Sequence, residues 1–465
     1  MFSKFKLLAK DTLLFALGSI GSKAILFLLV PLYTNYLTTG EYGNADLVFT
    51  YAQLMIPVLT VMIYDAVLRF GSSKDVNLPN VALCGLITCT ISGVISFLLL
   101  PFLRKSANVG EWAIYLSTHI CLACFYQLLI NYLKVKNRND KYAIVSILNT
   151  FFLAGSNVLL IAVFRFGIRG YLLSNIIGTF VACGFALVWS GIIPDSRHGK
   201  FDFDLWKKML AYSWPLIFTN IAWWVIHSSD KLMIKGMINE SQLGIYTTAA
   251  KIPSLINVII GIFSQAWGLS SIREVEGDND NSYFSSVLKY YSLFVFGSAI
   301  LIIMVIRPFM NIYVGPDFKS AWRYTPLLIS AAVFYAIATY YASIYSAIKK
   351  TKNAMWTTGL CAILNIVINY FGIKAIGAFG AVFGTVVSFA FLAVVRMWDV
   401  GRIMQFDMNI NRTVINGTIM LALAILITLD YYTLPAVIAA GTLFILINLH
   451  DISFALHRIR KLVLR

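Results

Sequence analysis

Long apolar runs alternate with short polar connections from one end of the chain to the other. Each run is continuous rather than alternating, and about 20 residues long, which is what an α-helix needs to cross a bilayer. About fourteen spans are predicted, near 12–36, 45–66, 80–103, 112–133, 143–164, 170–192, 210–229, 244–268, 288–312, 323–346, 356–374, 378–396, 413–430 and 434–454. Continuous runs exclude a β-barrel, whose strands alternate apolar and polar positions. The first run is too long, and lacks the small-residue cleavage site, for a removed signal peptide, so it is expected to remain as a helix.

Composition agrees with this pattern. The chain of 465 residues is 59% hydrophobic and only 12% charged, about half the charged share of an average soluble domain. The fold class expected is an all-α polytopic membrane protein without a sizeable soluble domain. The net charge of +16 raises nucleic acid as a partner, but its distribution argues otherwise. Roughly 24 of the Lys and Arg residues fall in the N-terminal arm, the even-numbered loops and the C-terminal tail, against roughly 10 in the other loops. Lys134, Lys136, Arg138 and Lys141 share one such loop, Lys349, Lys350 and Lys352 another. An even number of spans puts both termini on that basic side, so both are predicted cytoplasmic, with the bilayer and not nucleic acid as partner. The six cysteines all fall in predicted spans. Cys121 and Cys124 have redox spacing but lie in an apolar run, as small core residues do.

An internal repeat is expected. The segment beginning at Gly43 after the first span is similar to the one beginning at Gly244 after the seventh. Gly167-Ile-Arg-Gly170 before the sixth span is echoed by Gly377-Ala-Phe-Gly380 before the twelfth. Both offsets are about six spans, an even number, so the halves would insert the same way up, as parallel repeats do in transporters. The expected organisation is an N-terminal lobe over 1–192, a cytoplasmic linker over 193–209, a C-terminal lobe over 210–400, and a helix pair with a basic tail over 401–465. The two six-helix lobes would be related by a pseudo-two-fold axis along the membrane normal. In the linker, Phe201, Phe203, Leu205 and Trp206 beside Lys207 and Lys208 read as a stretch lying on the bilayer surface, or as a plain connection.

The ionisable residues inside the runs are the candidates for function. Lys23 stands near the middle of the first run, with Gly18, Ser19 and Ser22 giving it a small, polar face. A charge at that depth is expensive, and it either serves function or pairs with a carboxylate. Lys251 lies about two turns into the eighth span, followed by Pro253, which would loosen the helix. Lys289 and Arg307 mark the ends of the ninth span and read as snorkelling. Asp65 and Arg69, four apart, read as an intrahelical ion pair or as gate partners. Asn220, Trp224 and His227 form a polar face with Asp230 and Lys231 at its end, a substrate rim and outer gate or a solvated helix end. Gln127 with Asn131, and Asn365 with Asn369, read as interhelical glue, and Gly380 with Gly384 as close packing. No HExxH, Walker A or Gly-x-Ser-x-Gly pattern occurs, so no catalytic, metal or cofactor site is expected and the protein is read as a non-enzyme.

The motifs resemble a known family. Leu29-Val-Pro-Leu-Tyr-Thr-Asn-Tyr-Leu-Thr-Thr-Gly-Glu-Tyr-Gly-Asn-Ala-Asp-Leu47, Asp65-Ala-Val-Leu-Arg69-Phe, Ala211-Tyr-Ser-Trp-Pro215-Leu-Ile, Ser229-Asp-Lys231 and Leu243-Gly-Ile-Tyr246 are similar to the polysaccharide-transport and O-antigen flippase branch of the multidrug/oligosaccharidyl-lipid/polysaccharide exporter superfamily. The likeness covers nearly the whole chain through short motifs. It implies a V-shaped pair of six-helix lobes in the bacterial inner membrane, around a central cavity. It also implies alternating access, carrying an undecaprenyl (isoprenoid) diphosphate-linked oligosaccharide to the outer leaflet, with a polysaccharide polymerase as a further partner. On that reading Lys23 and Lys251 are cations for the diphosphate, and Asn220, Trp224 and His227 face the glycan. Asp65, Arg69, Asp230 and Lys231 gate the path. The alternatives are a cation-coupled multidrug exporter of the same superfamily, a peptidoglycan-precursor flippase, and a membrane glycosyltransferase or polymerase. The last needs a larger loop than these connections of under about twenty residues.

Overall fold

The structure, a computed structural model, describes residues 23–73, 76–106, 108–277, 281–431 and 434–463. Among these residues every regular element is helical. Twelve helices are long and apolar enough to cross a membrane, and one bent pair makes a thirteenth. The first predicted span lies partly outside the described residues. Its remainder is helical over 23–28, turns at Leu29 and continues as α1, Val30–Tyr36. Pro31 accounts for the interruption, because its ring nitrogen has no hydrogen to donate to the preceding turn.

The helices that follow in the first half are α2 (Thr39–Thr60), α3 (Ile63–Gly71), α4 (Leu78–Leu98), α5 (Ala113–Val135), α6 (Asn139–Asn157), α7 (Gly167–Ser190) and the short α8 (Ile192–Arg197). The second half begins with α9 (Phe203–Met237), α10 (Glu240–Ala249), α11 (Lys251–Glu276), α12 (Asn281–Tyr313), α13 (Thr325–Ala347), α14 (Thr351–Ile376) and α15 (Ala378–Ile403). It ends with α16 (Ile410–Thr428) and α17 (Leu434–Val463). By their contacts the described helices fall into two compact units, one of residues 21–235 with 239–244, the other of 236–238 with 245–465.

In the first unit, α2 and α3 form the bent span, turned by 55°. Val61 and Met62 both take left-handed φ, 50° and 52°. Pro57, inside α2, removes one rung of the helical ladder just before them. The linker is largely helical. Leu205 is buried, and the Trp206 indole N–H donates to Thr88 Oγ1 at 2.9 Å. Phe201 and Phe203 are exposed, as are Lys207 and Lys208.

The repeated sequence segments have matching local structure. Thr38 caps α2, its Oγ1 accepting the Glu41 N–H at 3.2 Å while Glu41 Oε2 accepts the Thr38 N–H at 2.9 Å. About 200 residues on, Asn239 Oδ1 accepts the Gln242 N–H at 2.8 Å at the start of α10. The two helix starts touch. Thr39 Oγ1 lies 2.8 Å from Ser241 Oγ, a Cβ on Gly43 would come within 2.7 Å of Gly244 N, and one on Gly244 would overlap the Thr39 carbonyl. The second echo repeats too, with Gly167 at φ 56° opening α7 and Gly377 at φ 63° just before α15.

A third correspondence was not foreseen. Helices α5 and α13 both end in a turn with a left-handed residue, Asn137 in one and Lys349 in the other. Just before each turn a tyrosine hydroxyl reaches a carboxylate. Tyr132 donates to Asp195 Oδ2 at 2.5 Å, and Tyr345 to Asp399 Oδ2 at 2.6 Å. Lys136 Nζ completes the first clasp at 2.7 Å, and Asn353 Nδ2 the second at 2.7 Å. For Asp195 burial alone would raise the pKa. The hydrogen bonds from Lys136 and Tyr132, with the charges of Lys136 and Arg138, outweigh it and hold the carboxyl below its ordinary value.

In the second unit the snorkelling expected of Lys289 and Arg307 gives way to ion pairs. Two carboxylates of the C-terminal region, Asp451 in α17 and Asp430 in the turn after α16, pair with cations of α12. Asp451 pairs with Lys289 at 2.6 Å and with Arg412, and Asp430 pairs with Arg307 at 2.7 Å and Arg323 at 3.5 Å. The close packing expected at Gly380 is present, since a Cβ there would overlap Gly372. Asn365 and Asn369 are buried, and Asn369 Nδ2 donates to Asn365 Oδ1 at 3.1 Å. All six cysteines are free thiols, Cys124 fully buried.

Candidate functional site

Asn220, Trp224, Lys231 and Lys235 recur on α9 at spacings of four and seven, which places them on one helical face. In the first unit this face runs antiparallel to α2 and the α2–α3 bend. Asn220 Nδ2 lies 3.2 Å from Met62 Sδ, and the Trp224 indole N–H donates to the Thr50 carbonyl at 2.8 Å. Lys231 Nζ reaches Asp46 Oδ2 at 2.7 Å, and Lys235 Nζ reaches Asn44 Oδ1 at 2.7 Å.

The ion pair dominates this seam. The Lys231 and Asp46 side chains are only 19% and 12% exposed, so each charge depends on the other for the solvation it has lost. Lys235 is held by three acceptors, with Glu240 Oε1 at 3.2 Å and the Asn108 carbonyl at 3.3 Å in addition to Asn44. Asn44 Nδ2 in turn donates to Glu240 Oε2 at 2.6 Å. Asp46, Asn44 and Glu240 went unmarked in the sequence, although Asp46 carried a usable signal as an acid inside a predicted span.

The remaining predicted residues divide. Asp230 is buried, and its Oδ1 accepts the Lys231 backbone N–H at 2.8 Å, so the two neighbours are not equivalent ends of one pair. His227 is exposed and stacks on Trp223, with centroids 5.8 Å apart and planes at 16°. Asn220 and Trp224 spend their donors on protein atoms, which fixes α9 to its neighbours and leaves ring faces rather than N–H groups for a ligand.

Lys23 is helical and exposed. Gly18, Ser19 and Ser22, its expected polar face, lie outside the described residues. Lys251 is the first residue of α11, half-buried, immediately after a turn at Ala250. Pro253 explains that turn, since it cannot donate back to Ala249. Asp65 is half-buried and Arg69 exposed. Among the described residues they form no ion pair within 4.0 Å, so four-residue spacing did not produce the expected intrahelical bridge. From α5, Asn131 donates to the Tyr64 carbonyl at 3.3 Å and accepts from Lys134 Nζ at 3.4 Å. Asn131 is thus helix glue, as expected.

A residue outside the predicted set is Arg396. It is 1% exposed inside α15, although sequence had ended the span there. Its Nε donates to Thr357 Oγ1 at 3.1 Å, Nη2 to Thr358 Oγ1 at 2.8 Å, and Nη1 to the Ala338 carbonyl at 3.0 Å. Among the described residues it has no carboxylate partner. The guanidinium fork joins α13, α14 and α15 through neutral acceptors, a geometry that lysine does not match. Among the described residues no group of three or more His, Cys, Asp or Glu side chains is placed to hold a metal.

The fold is shared with solved transporters. The structure of the lipid II flippase MurJ in an inward closed conformation superposes with a TM-score of 0.71 at 14% identity, covering 95% of this chain and 99% of that one. An inward-facing multidrug resistance MATE family transporter of the MOP superfamily gives a TM-score of 0.63 at 16% identity, covering 87% and 94%. A curated relative, the probable low-salt glycan biosynthesis flippase Agl15 of Haloferax volcanii, is 23% identical over 293 residues, 60% of this chain and 59% of its own length. The protein is a multi-pass membrane protein that shares the fold of these structures. The family model described as Polysaccharide biosynthesis protein matches residues 8–268, more than half of the sequence, and the chain therefore belongs to that family.

Proposed function

We propose that this protein flips a lipid-linked oligosaccharide, moving an isoprenoid diphosphate-linked glycan repeat unit from the cytoplasmic to the outer leaflet by alternating access. Both termini are cytoplasmic in this reading, and the membrane is the bacterial inner membrane. The observation that carries it is Lys23, an exposed cation in the first apolar helix. A diphosphate cannot cross hydrocarbon bare, and a fixed ammonium lining a hydrated path lowers that barrier. Lys251 is a second such cation. Trp224 and His227 offer ring faces, and Asn220 its amide oxygen, to sugars. The Lys231–Asp46 pair, with Asp230 beside it, forms the outer gate, and Asp65 with Arg69 the inner one. Family membership and a curated relative named as a glycan biosynthesis flippase support the cargo class.

The test is Lys23→Ala in a strain whose surface glycan depends on this protein. Glycan display is lost while the protein still accumulates in the membrane, and Lys23→Arg keeps part of the activity because charge matters more than shape. Normal display by Lys23→Ala overturns the diphosphate role. The drug-exporter reading has the MATE likeness in its favour, but a cation in the first helix opposes a cationic drug. Resistance to cationic dyes that rises with expression of the protein would reverse that preference.

A further inference from the structure

Among the described residues three cations at the α5–α6 corner of the first unit form no close ion pair, although Lys134 acts on Asp65 through its charge and donates to Asn131 Oδ1 at 3.4 Å. Lys134 Nζ lies 4.5 Å from the centre of the Tyr142 ring, Lys141 Nζ lies 4.9 Å from the centre of the Trp189 ring, and Arg138 Nη1 donates to the Trp189 carbonyl. Among the described residues none of the three has an Asp or Glu oxygen within 4.0 Å. The neighbouring Asp195 is already taken by Lys136 and Tyr132, and Asp140 is exposed and forms no ion pair. Two rings and three cations therefore meet where α5, α6 and α7 leave the apolar region.

The surface next to this corner is apolar. On α6, Ile144 and Ile147 are 41% and 58% exposed, and on α7 Val188 is 77% exposed. Such residues one to two turns from a basic–aromatic cluster suit acyl chains lying below a phosphate headgroup, whereas a soluble phosphate needs no apolar approach. We infer that the α5–α6 corner, through Lys134, Arg138 and Lys141 around Trp189 and Tyr142, binds the headgroup of an anionic phospholipid of the cytoplasmic leaflet. The charge excess complements an anionic headgroup, and aromatic rings of this kind settle at the headgroup level. The site is independent of the cargo path, so it stands or falls separately from the flippase reading.

The experiment titrates phosphatidylglycerol and phosphatidylcholine onto the full-length protein in detergent, with retained lipid read by native mass spectrometry. Wild type binds phosphatidylglycerol more tightly, and the preference falls with salt. Each cation near an anionic surface is worth roughly five-fold in affinity. The triple variant Lys134→Gln, Arg138→Gln, Lys141→Gln is thus expected to bind phosphatidylglycerol on the order of 100-fold more weakly, with phosphatidylcholine unchanged. The paired variant Lys134→Arg, Lys141→Arg keeps the preference. Three results overturn the inference: no lipid preference in wild type, an unchanged triple variant, or equal loss in the charge-conserving variant. Competition by soluble glycerol phosphate at matched concentration overturns the assignment to a bilayer lipid.

Discussion

Lys231 Nζ lies 2.7 Å from Asp46 Oδ2, and this one ion pair ties α9 to the start of the second span. Both side chains are largely shielded from water, so removing one partner strands the other. Loss of one half of a buried pair costs about 3–5 kcal/mol. Lys231→Ala and Asp46→Ala should each lower the thermal unfolding midpoint of the purified protein and abolish glycan display. Asp46→Lys combined with Lys231→Asp restores the attraction and should recover much of the stability lost by either reversal alone. Equal instability in the double reversal would mean that packing, not charge, holds the seam.

Gly244 makes a different kind of demand. Its α-carbon faces the Thr39 carbonyl so closely that any side chain overlaps backbone, which cannot swing aside. Gly244→Ala should cost about 1–3 kcal/mol, the usual range for overpacking, read as a lower denaturation midpoint. Gly268, inside α11, has nothing within 4 Å of an added Cβ. There alanine should be neutral or stabilise by up to about 1 kcal/mol, because it removes glycine's excess backbone freedom.

What sequence could and could not foresee follows from the physics of each feature. The spans were readable because a bilayer imposes length and continuous apolarity on every one of them. The Gly43 and Gly244 correspondence was readable because two tight entries into a helix each place a glycine at the same point of similar segments, where no side chain fits. Asp65 and Arg69 misled because four-residue spacing makes a pair possible without making it competitive. The partners of Lys231, Lys289 and Arg307 were not readable, because Asp46, Asp451 and Asp430 stand far away in the chain and only folding brings them near. The duplicated clasp of Tyr132 with Asp195 and Tyr345 with Asp399 was hidden for the same reason, although each half of it lies beside a basic loop that was noticed.

Arg396 offers a sharp test of geometry against charge. Its three kinds of nitrogen reach two threonine hydroxyls and a backbone carbonyl on two neighbouring helices. Lysine keeps the charge but presents a single nitrogen, so Arg396→Lys leaves several acceptors unmatched. Each buried hydrogen-bonding group left unmatched costs about 1–3 kcal/mol. Arg396→Lys should therefore destabilise the protein nearly as much as Arg396→Gln. Full stability in the lysine variant would show that charge alone suffices.

Asp195 predicts a pH dependence with a definite sign. Its carboxyl titrates below the ordinary value in the folded protein, because the bonds from Lys136 and Tyr132 and the nearby positive charges outweigh the burial that would raise it. A depressed carboxyl contributes stability that is present above the unfolded-state pKa of about 3.9 and is lost as pH falls through the folded-state value. The difference in unfolding midpoint between wild type and Asp195→Asn should thus stay constant from pH 7 down to about 4 and shrink below it. Tyr132→Phe removes one of the bonds that lower this pKa, so its gap should close at a higher pH than in wild type. A gap that widens on acidification would reverse the assigned sign and remove the clasp as its cause.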